Sequence, residues 1–253
     1  MKLSAIVITK NAAGKIKDCL ESLKFADEVI VVDSGSTDAT KDIAMKAGAK
    51  FFKVDNIGYS HSRNAGAKKA KGEWLLYIDA DERVSPNLQK EILSRIANCD
   101  LRIASFKIYR KNIILGQRLR HGGWWPDPVH RLIKKSAFVE WQGNLHEYPV
   151  VQGELGEIAE PIIHYSKDSI SAMVQNSKLF APIEAELKLK AGHPPVKIYH
   201  FVLAMWREFW TRGILKAGWL DGIVGIIEIF YQMFHQFMVY SILWQMQNKK
   251  NEV

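Results

Sequence analysis

The sequence is poor in cysteine and shows no secretion signal, which excludes several kinds of extracellular protein. Its 253 residues contain two cysteines, Cys19 and Cys99, so a framework of disulfide bonds is excluded and a reducing compartment is predicted. The apolar run in the first residues, MKLSAIVITK, is too short for a signal peptide, and no small-residue cleavage site follows it. No internal repeat and no low-complexity tract is present. We therefore expect a globular cytoplasmic protein.

Two familiar binding patterns are also missing. No glycine fingerprint follows the first predicted strand, which argues against a dinucleotide-dependent oxidoreductase. The formal net charge of +8 indicates an acidic partner, such as a nucleotide, a nucleic acid or an anionic membrane. However, the lysines and arginines are scattered and no nucleic-acid-binding motif is present. We therefore expect no nucleic-acid partner.

Alternating strands and helices are predicted over the first third of the chain. Short runs rich in isoleucine, valine and leucine predict buried strands at 3–8, 28–33, 50–54 and 74–78. The segments between these strands are predicted to be helical, and this order is typical of a doubly wound parallel sheet. Ligands bind to such sheets at the carboxyl ends of the strands. Polar side chains stand at that edge, namely Thr9, Asp33, Asp79 and Asp81.

The stretch 73–82, EWLLYIDADE, places two carboxylates at the end of a predicted buried strand. Like charges one residue apart repel each other and are costly to hold near an apolar sheet. A hard divalent cation such as Mg²⁺ or Mn²⁺ is a common reason for such a pair, although two solvated loop acids would give the same pattern. A calcium loop is disfavoured because Arg83 and Val84 stand where oxygen ligands and glycine are needed. A haloacid-dehalogenase phosphatase is disfavoured because it carries its acid pair on the first strand.

Three spaced elements together resemble the GT-A fold glycosyltransferases of family 2, which are inverting enzymes that use nucleotide-sugar donors. The run SRNAG at residues 62–66 also matches the family pattern, and the resemblance covers residues 2–165. It implies an α/β fold with a Rossmann-like, mostly parallel sheet flanked by helices. The three elements are the first strand with Thr9 and Asn11, the run VVDSGSTDAT with Asp33, and YIDADE with Asp79 and Asp81.

The downstream runs HGGWWPDPVHRL, WQGNLHEYP and IIHYS resemble one subgroup of that family. This subgroup contains the bacterial lipopolysaccharide inner-core β-1,4-glucosyltransferases. The resemblance implies that glucose is transferred from a UDP-sugar to a heptose of the lipopolysaccharide inner core. One alternative is a glycosyltransferase that makes another cell-surface glycan or a glycoprotein. The other is a non-catalytic sugar-binding relative.

The resemblance also implies a role for each matching donor-site residue. Asp33 would contact the uracil base, and Arg63 would approach the nucleotide or its phosphates. Asp79 would face the ribose and the metal, and Asp81 would bind the Mg²⁺ or Mn²⁺ that bridges both phosphates. The alternatives are a turn- or helix-capping role for Asp33 and an exposed helical position for Arg63.

An inverting transfer also needs a base that takes the proton of the acceptor hydroxyl. The candidates are Glu147 in LHEYP and Asp127 in WWPDP. We prefer Glu147 because it stands beside His146 in a turn framed by glycine and proline, whereas Asp127 lies between two prolines that shape a turn.

Three further residues are candidates for binding. Trp124 and Trp125 are predicted to stack on a sugar ring, although one could be core while its neighbour covers it. His164 ends a predicted strand and is a candidate for completing the metal shell. A structural histidine that is hydrogen-bonded in the sheet is the alternative.

The C-terminal part of the chain is predicted to be a helix that lies on a membrane. The stretch from Gly222 to Trp244 carries only Glu228 as a formal charge, and this length would span a bilayer. A central glutamate costs about 2.5–3.5 kcal/mol on insertion, which argues against spanning. Glu228, Gln232 and Gln236 form one narrow polar stripe, and with nearby tryptophans and basic residues this favours an interfacial helix. Packing on the catalytic domain or on a second subunit is the alternative.

The predicted organisation is therefore a GT-A catalytic domain at residues 1–166 and a helical extension at residues 167–253. The expected partners are a UDP-sugar donor, a divalent metal ion and a lipid-linked or lipopolysaccharide acceptor. We expect a peripheral location on the inner face of the bacterial inner membrane. A homodimer is the alternative explanation of the helical extension.

Overall fold

The chain folds into two compact units. The structure is a computed structural model and describes residues 2–55, 58–98, 100–143 and 147–249, so two residues mentioned above, Cys99 and His146, lie outside it. The first unit contains residues 1–111 and 127–164, and the second contains residues 112–126 and 165–253. The predicted functional boundary at residue 166 stays a prediction, and the segment 112–126 packs within the second unit.

The strands of the described residues form one large mixed sheet and one small antiparallel pair. The large sheet has nine strands. Its strands are β1 (Leu3–Thr9), β2 (Glu28–Asp33), β3 (Lys50–Lys53), β4 (Trp74–Asp79), β5 (Glu82–Arg83), β6 (Ile103–Ile114), β7 (Gln117–Arg118), β8 (Pro128–Lys134) and β11 (Glu154–Lys167). The small pair is β9 (Phe138–Gln142) and β10 (Tyr148–Val151).

The order of the large sheet is β3-β2-β1-β4-β8-β6-β11-β5, and β7 pairs with β6. β1 is parallel to β2 and β4, and β2 is parallel to β3. β8 is antiparallel to both β4 and β6. The predicted α/β fold class is confirmed, and the parallel half of the sheet is the half predicted from the alternating pattern.

Helices cover the sheet of the first unit and build most of the second unit. They are α1 (Ile16–Glu21), α2 (Thr40–Lys46), α3 (Tyr59–Lys69), α4 (Pro86–Ala97), α5 (Ile170–Lys190), α6 (Ile198–Glu208) and α7 (Gly222–Lys249). A π-helical segment, Phe209–Leu215, and a 3-10 turn, Gly218–Asp221, connect α6 to α7. The helical C-terminal extension predicted from the sequence is therefore confirmed.

The central strands of the first unit are buried on both faces, because consecutive side chains point to opposite sides of the sheet. From β1, Val7 packs in a layer with α1 and α4, and Ile6 packs in the opposite layer with α3. Each fully buried aliphatic side chain contributes about 1.5–3 kcal/mol. In α3, a Cβ atom at Gly66 would lie 2.3 Å from Cγ2 of Ile6. The glycine of SRNAG therefore allows the helix to approach the sheet closely.

Glu28 begins β2 with a buried carboxylate that joins three segments of the first unit. Its Oε1 accepts hydrogen bonds from Ser4 Oγ and the Lys71 backbone N–H, both at 2.6 Å, and its Oε2 lies 2.6 Å from Lys50 Nζ. Its side chain is 2% exposed. Burial opposes ionisation, but the hydrogen bonds from Lys50, Ser4 and Lys71 outweigh burial and lower the pKa of Glu28 to about 2.

The second unit has its own apolar core, in which α7 packs against α5 and α6. Lys167 of β11 donates to Glu228 Oε1 at 2.9 Å, and Glu228 is 2% exposed. Gln232 also donates to Glu228 Oε1, at 2.7 Å, and Gln236 Oε1 is buried. The polar stripe of α7 is therefore directed into the second unit.

We predict that Glu28→Gln destabilises the protein by about 3 kcal/mol at neutral pH, because the carboxylate has a lowered pKa in the folded state. Because the folded-state pKa is lowered, the carboxylate stabilises the folded protein fully above the ordinary pKa of 4.5. This stabilisation is lost as the pH falls through about 2. The loss should therefore shrink by about half at pH 3. Urea unfolding at both pH values measures it. Glu21→Gln, which removes an exposed carboxylate paired with Lys24, is the control and should cost little at either pH.

Candidate active site

The acidic turn after β4 is held by buried arginines. Arg131 Nη2 lies 2.6 Å from both Asp79 Oδ2 and Glu82 Oε1, and Arg63 Nη2 lies 2.9 Å from Asp79 Oδ1. The other oxygen of Glu82 accepts the backbone N–H of Asp79 at 2.9 Å. Both carboxylate oxygens of Asp79 are thus engaged by guanidinium groups, which fixes the orientation of the turn.

The pKa values of Asp79, which is 24% exposed, and of the fully buried Glu82 are shifted in opposite directions. Burial raises the pKa of Asp79, but the guanidinium groups of Arg131 and Arg63 outweigh burial and hold it well below its usual range. For Glu82, burial is the larger effect and raises the pKa despite the charge of Arg131. The pKa of Arg131 is raised by Asp79 and Glu82, although burial alone would lower it. Asp79 and Arg131 therefore form the ionised pair of the cluster.

Arg63 connects Asp79 to Glu147, the preferred base. Its Nη2 and Nε atoms lie 3.2 and 3.4 Å from Glu147 Oε1, and its guanidinium carbon lies 4.9 Å from the ring centre of Trp141. Arg63 is 3% exposed, so the alternative of an exposed helical arginine is excluded. The structure brings together three residues proposed for catalysis or donor binding, and Arg63 engages Glu147 through one oxygen.

Asp127, the second candidate base, is engaged through both carboxylate oxygens. Arg110 Nε donates to Asp127 Oδ2 at 2.8 Å and Arg110 Nη2 donates to Oδ1 at 3.1 Å. The backbone N–H of Arg110 donates to the backbone oxygen of Asp127 at 2.9 Å. Arg110 Nη1 also lies 3.9 Å from Glu82 Oε1. Asp127 therefore belongs to the same ionic network and connects β6 to the start of β8.

Asp81 and His164 form the part of the cluster that fits a divalent cation. His164 Nε2 lies 3.5 Å from Asp81 Oδ2, and the Asp81 side chain is 32% exposed. Within the described residues, no group of three or more His, Cys, Asp and Glu side chains has metal-binding geometry. The protein therefore offers one oxygen and one nitrogen donor, which fits a cation that also takes phosphate oxygens and water as ligands. Asp79 as a direct metal ligand stays a prediction.

The carboxyl ends of β1 and β2 form the second part of the site. Asp33 Oδ1 accepts the backbone N–H groups of Gly35 and Ser36 at 2.9 and 2.8 Å, and Ser36 Oγ donates to Asp33 Oδ2. Asn11 Oδ1 accepts the backbone N–H of Thr37 at 2.8 Å. Thr9 is opposite Asp33 in the parallel register, and its buried hydroxyl has no hydrogen-bond partner among the described residues. The expected shared edge is thus present for Thr9, Asn11 and Asp33.

A cleft of about 650 Å³ opens beside Asp33. Lys41, Phe51 and Lys53 are among the residues that line it. An acid that accepts hydrogen bonds, an aromatic ring and two cations suit a nucleobase with an attached phosphate. The carboxylate of Asp33 organises the turn at Gly35 and Ser36, which agrees with the turn-capping alternative, and its contact with a nucleobase stays a prediction.

Trp124 and Trp125 lie in the second unit, where both rings are half-buried. Lys167 Nζ is 4.9 Å from the ring centre of Trp124, and Arg118 is 5.2 Å from that of Trp125. The backbone oxygen of Trp124 accepts a hydrogen bond from Asn112 Nδ2 at 3.0 Å. Both rings therefore contact cations within their own unit, and their predicted role in sugar binding stays a prediction.

Three residues of the cluster were not predicted from the sequence, namely Glu82, Arg110 and Arg131. Arg131 pairs with acids that are about fifty positions away, a distance over which charge patterns along the sequence give no signal. One indication was available, because Arg131 stands at an alternate position between the apolar residues Val129 and Ile133 in VHRLIK, which lies in β8. A charge at an inward position of a strand predicts a buried partner of opposite charge.

Comparisons with known proteins agree with this geometry. The sequence model of the family Glycosyl transferase family 2 matches residues 4–149. A protein of Rickettsia prowazekii described as an uncharacterised glycosyltransferase is 41% identical over 254 residues, which cover 92% of this chain and 84% of that protein. The lipopolysaccharide core biosynthesis glycosyltransferase LpsC of Rhizobium meliloti is 23% identical over 257 residues, which cover 97% of this chain and 93% of LpsC.

One solved structure gives a comparable fold. It is glucosyl-3-phosphoglycerate synthase from Mycobacterium tuberculosis in complex with Mn²⁺, UDP and glucosyl-3-phosphoglycerate. The TM-score is 0.52 at 15% sequence identity, and the match covers 76% of this chain and 81% of that chain. At this identity the likeness supports the fold alone.

We predict that Arg131→Met destabilises the protein by about 3–5 kcal/mol, because it leaves Asp79 and Glu82 buried without their shared cation. Arg131→Lys should lower the free energy of unfolding less, because it keeps the positive charge. Some loss should remain, because an ammonium group lacks the planar set of donors that reaches both acids. Chemical unfolding at pH 7 measures both losses. Arg102→Met, at a side chain that is 72% exposed and paired with Asp100, is the control. An equal loss for Arg131→Met and Arg102→Met would contradict the prediction.

Proposed function

The chain belongs to glycosyltransferase family 2, and on this premise we propose that it transfers glucose from a UDP-sugar to a heptose of the lipopolysaccharide inner core. The observation that carries the proposal is the cluster at the end of β4, in which Arg63 joins Asp79 to Glu147. A donor-side acid and a candidate base share one buried cation there. This arrangement would bring a base close to the donor, as a transfer to an acceptor hydroxyl requires.

The donor side is supported by the cleft beside Asp33. The carboxylate of Asp33 would accept a hydrogen bond from the uracil ring, and Phe51 would cover part of the base. Lys41 and Lys53 line the same cleft and would attract the negative charge of the diphosphate. Arg63 would then donate to a phosphate or to the ribose beside Asp79.

The cation of this site would be Mg²⁺ or Mn²⁺. Asp81 and His164 would hold it together with the diphosphate, because the Asp81 side chain is 32% exposed and its Oδ2 lies 3.5 Å from His164 Nε2. When bound, such an ion stabilises the negative charge that develops on the leaving nucleoside diphosphate. Arg63 and Arg131 would keep Asp79 ionised and in place beside the ribose.

Glu147 is the base that we propose for the acceptor hydroxyl. Its carboxylate shares the Arg63 Nη2 atom with Asp79 and is 16% exposed, so it is partly accessible to an acceptor. Asp127 instead forms a two-point ion pair with Arg110. Asp127 would therefore hold the start of β8 against β6, whereas Glu147 is linked through Arg63 to the donor-side acid Asp79.

The choice of acceptor is supported by charge and by the described relatives. The net charge of +8 suits an acceptor that carries phosphate or carboxylate groups, and LpsC is described as a lipopolysaccharide core biosynthesis glycosyltransferase. We propose a peripheral location on the inner face of the bacterial inner membrane, where such a lipid-linked acceptor is available. Transfer to another cell-surface glycan or a glycoprotein is the second candidate function.

We predict that UDP-glucose together with Mn²⁺ or Mg²⁺ raises the thermal melting temperature and is slowly hydrolysed without acceptor. Asp81→Asn should abolish the metal-dependent part of this shift, because it removes the exposed anionic ligand. Thermal unfolding with a panel of UDP-, GDP- and CMP-sugars measures the selectivity. Asp42→Asn, in the exposed part of α2, serves as the matched control. Stabilisation by a GDP- or CMP-sugar but by no UDP-sugar would overturn the assignment of Asp33 to uracil.

We predict that Glu147→Gln lowers turnover about 10²–10⁴-fold while donor binding changes little, because general base catalysis contributes a factor of this size. Asp127→Asn should reduce turnover less and should lower the melting temperature, since it breaks the pair with Arg110. Single-turnover assays with purified acceptor and donor-binding titrations separate the two effects. Near-normal turnover of Glu147→Gln would assign the base elsewhere, and Asp127 would be the next candidate.

A further inference from the structure

The helix α7 of the second unit is apolar on two opposite faces. One face, with Ile229, Val239 and Leu243, is buried in the core of the unit. The opposite face carries large apolar side chains that are 42–76% exposed and repeat at intervals of three, four and seven residues, which is one stripe of an α-helix. They are Ile223, Ile226, Phe230, Phe234, Phe237 and Trp244.

A second exposed stripe runs along α6 and into the π-helical segment. Ile198, Val202, Trp206 and Trp210 follow one another at intervals of four residues and are 46–85% exposed. The stripes of α6 and α7 meet at a groove of about 880 Å³, which is lined by Ile198, Val202 and Leu203 of α6 and by Trp244 of α7. We call this feature the α6–α7 groove. Contiguous exposed apolar surface of this extent indicates a binding surface.

The exposed charges of the segment that carries these stripes have one sign. Between residues 196 and 249, the exposed charged side chains of the described structure are Lys197, Arg207, Lys216 and Lys249. The acids of the same segment are held within the unit, since Asp221 and Glu228 are buried and Glu208 pairs with Arg212 at 2.9 Å. Lys197 also lines the α6–α7 groove. An apolar surface bordered by cations is complementary to a layer of anionic lipid.

Two other occupants fit these observations less well. The segment Gly218–Lys249 is long and apolar enough to cross a membrane by length and composition, but one face of α7 packs on α5 and α6 and carries the buried pair of Lys167 and Glu228. A second copy of this chain would bring the same cations together across a two-fold axis. A bilayer surface meets the apolar stripes and the cations at the same time.

We propose that the α6–α7 groove binds an anionic phospholipid of a bilayer, with an acyl chain between Leu203 and Trp244 and the phosphate beside Lys197. The proposal rests on the proposed membrane location and specifies the surface and the lipid class that produce it. The exposed stripes of α6 and α7 lie in the interfacial layer of the bilayer, and the four cations contact its headgroups. Lipid binding by this groove requires neither donor nor acceptor.

Vesicle flotation with the full chain tests the proposal directly. Binding to vesicles of phosphatidylcholine and phosphatidylglycerol should exceed binding to phosphatidylcholine alone, and added salt should weaken it. Lys197→Gln should lower partitioning into the anionic vesicles about fivefold, because each lysine near an anionic surface contributes about 1 kcal/mol. Leu203→Glu should lower it at least about tenfold. Leu101→Glu, at a side chain in the first unit that is 87% exposed, is the matched control and should bind as the wild type does.

A second measurement needs no charged variant. Brominated acyl chains quench tryptophan fluorescence on contact, so brominated phosphatidylglycerol vesicles should quench the wild type more than Trp244→Phe. Trp74→Phe, which removes a core tryptophan of the first unit, should leave the quenched part of the emission unchanged. Equal vesicle binding by Leu203→Glu and wild type, or equal quenching in Trp244→Phe and wild type, would overturn the proposal. A stable dimer in solution that does not bind anionic vesicles would overturn it as well.

These assays are separate from the test of the glycosyltransferase reaction. Vesicle binding is measured without nucleotide sugar, so failure of the UDP-sugar assignment leaves the vesicle results unchanged. Conversely, Leu203→Glu should hydrolyse donor in solution at the wild-type rate, because Leu203 lies outside the proposed active site. If only the lipid proposal is wrong, Leu203→Glu will bind vesicles as the wild type does and will hydrolyse donor at the normal rate.

Discussion

The pair formed by Arg131 and Asp79 is the interaction on which the proposed active site depends. A parallel strand that ends in acids concentrates negative charge at an apolar sheet edge, and such charge is stable only when it is paired. Arg131 supplies that pairing from the neighbouring strand β8, and Arg63 supplies it from α3. Because both guanidinium groups are 3% exposed, they hold Asp79 in one orientation and leave Asp81 as the more accessible acid of the turn.

The parts of this site that were predicted from the sequence are those with a local signal. The apolar runs before Asp33 and Asp79 predicted their strands, and the parallel order then placed both acids at one edge. The resemblance to glycosyltransferase family 2 is confirmed, because the family model matches residues 4–149. Arg110 and Glu82 have no local signal, and the alternation around Arg131 does not identify its partners. Their roles arise from pairings between β4, β6 and β8, which form only when the sheet turns antiparallel after its fourth strand.

The C-terminal helix shows a different limit of prediction from sequence. The composition of α7 indicated an amphipathic helix with one polar stripe, but it did not determine which face would be buried. Lys167, at the end of β11, decides this point because its ammonium group pairs with Glu228. Burial lowers the pKa of Lys167 and Glu228 opposes that effect, so each charge is stable in the interior only with its partner. The polar stripe is therefore directed inward beside one apolar face, and the second apolar face is directed outward.

The partners of the two acids at the end of β4, Asp79 and Asp81, suit these acids to different roles. A carboxylate whose two oxygens already accept guanidinium hydrogen bonds binds an additional cation weakly, whereas an exposed carboxylate beside a histidine binds one readily. Asp79 and Asp81 differ in this respect although they are two positions apart. Since Asp81 and His164 supply few ligands, strong cation binding would require the phosphates of the donor. Metal and nucleotide sugar would then bind cooperatively, so each would increase the affinity of the site for the other.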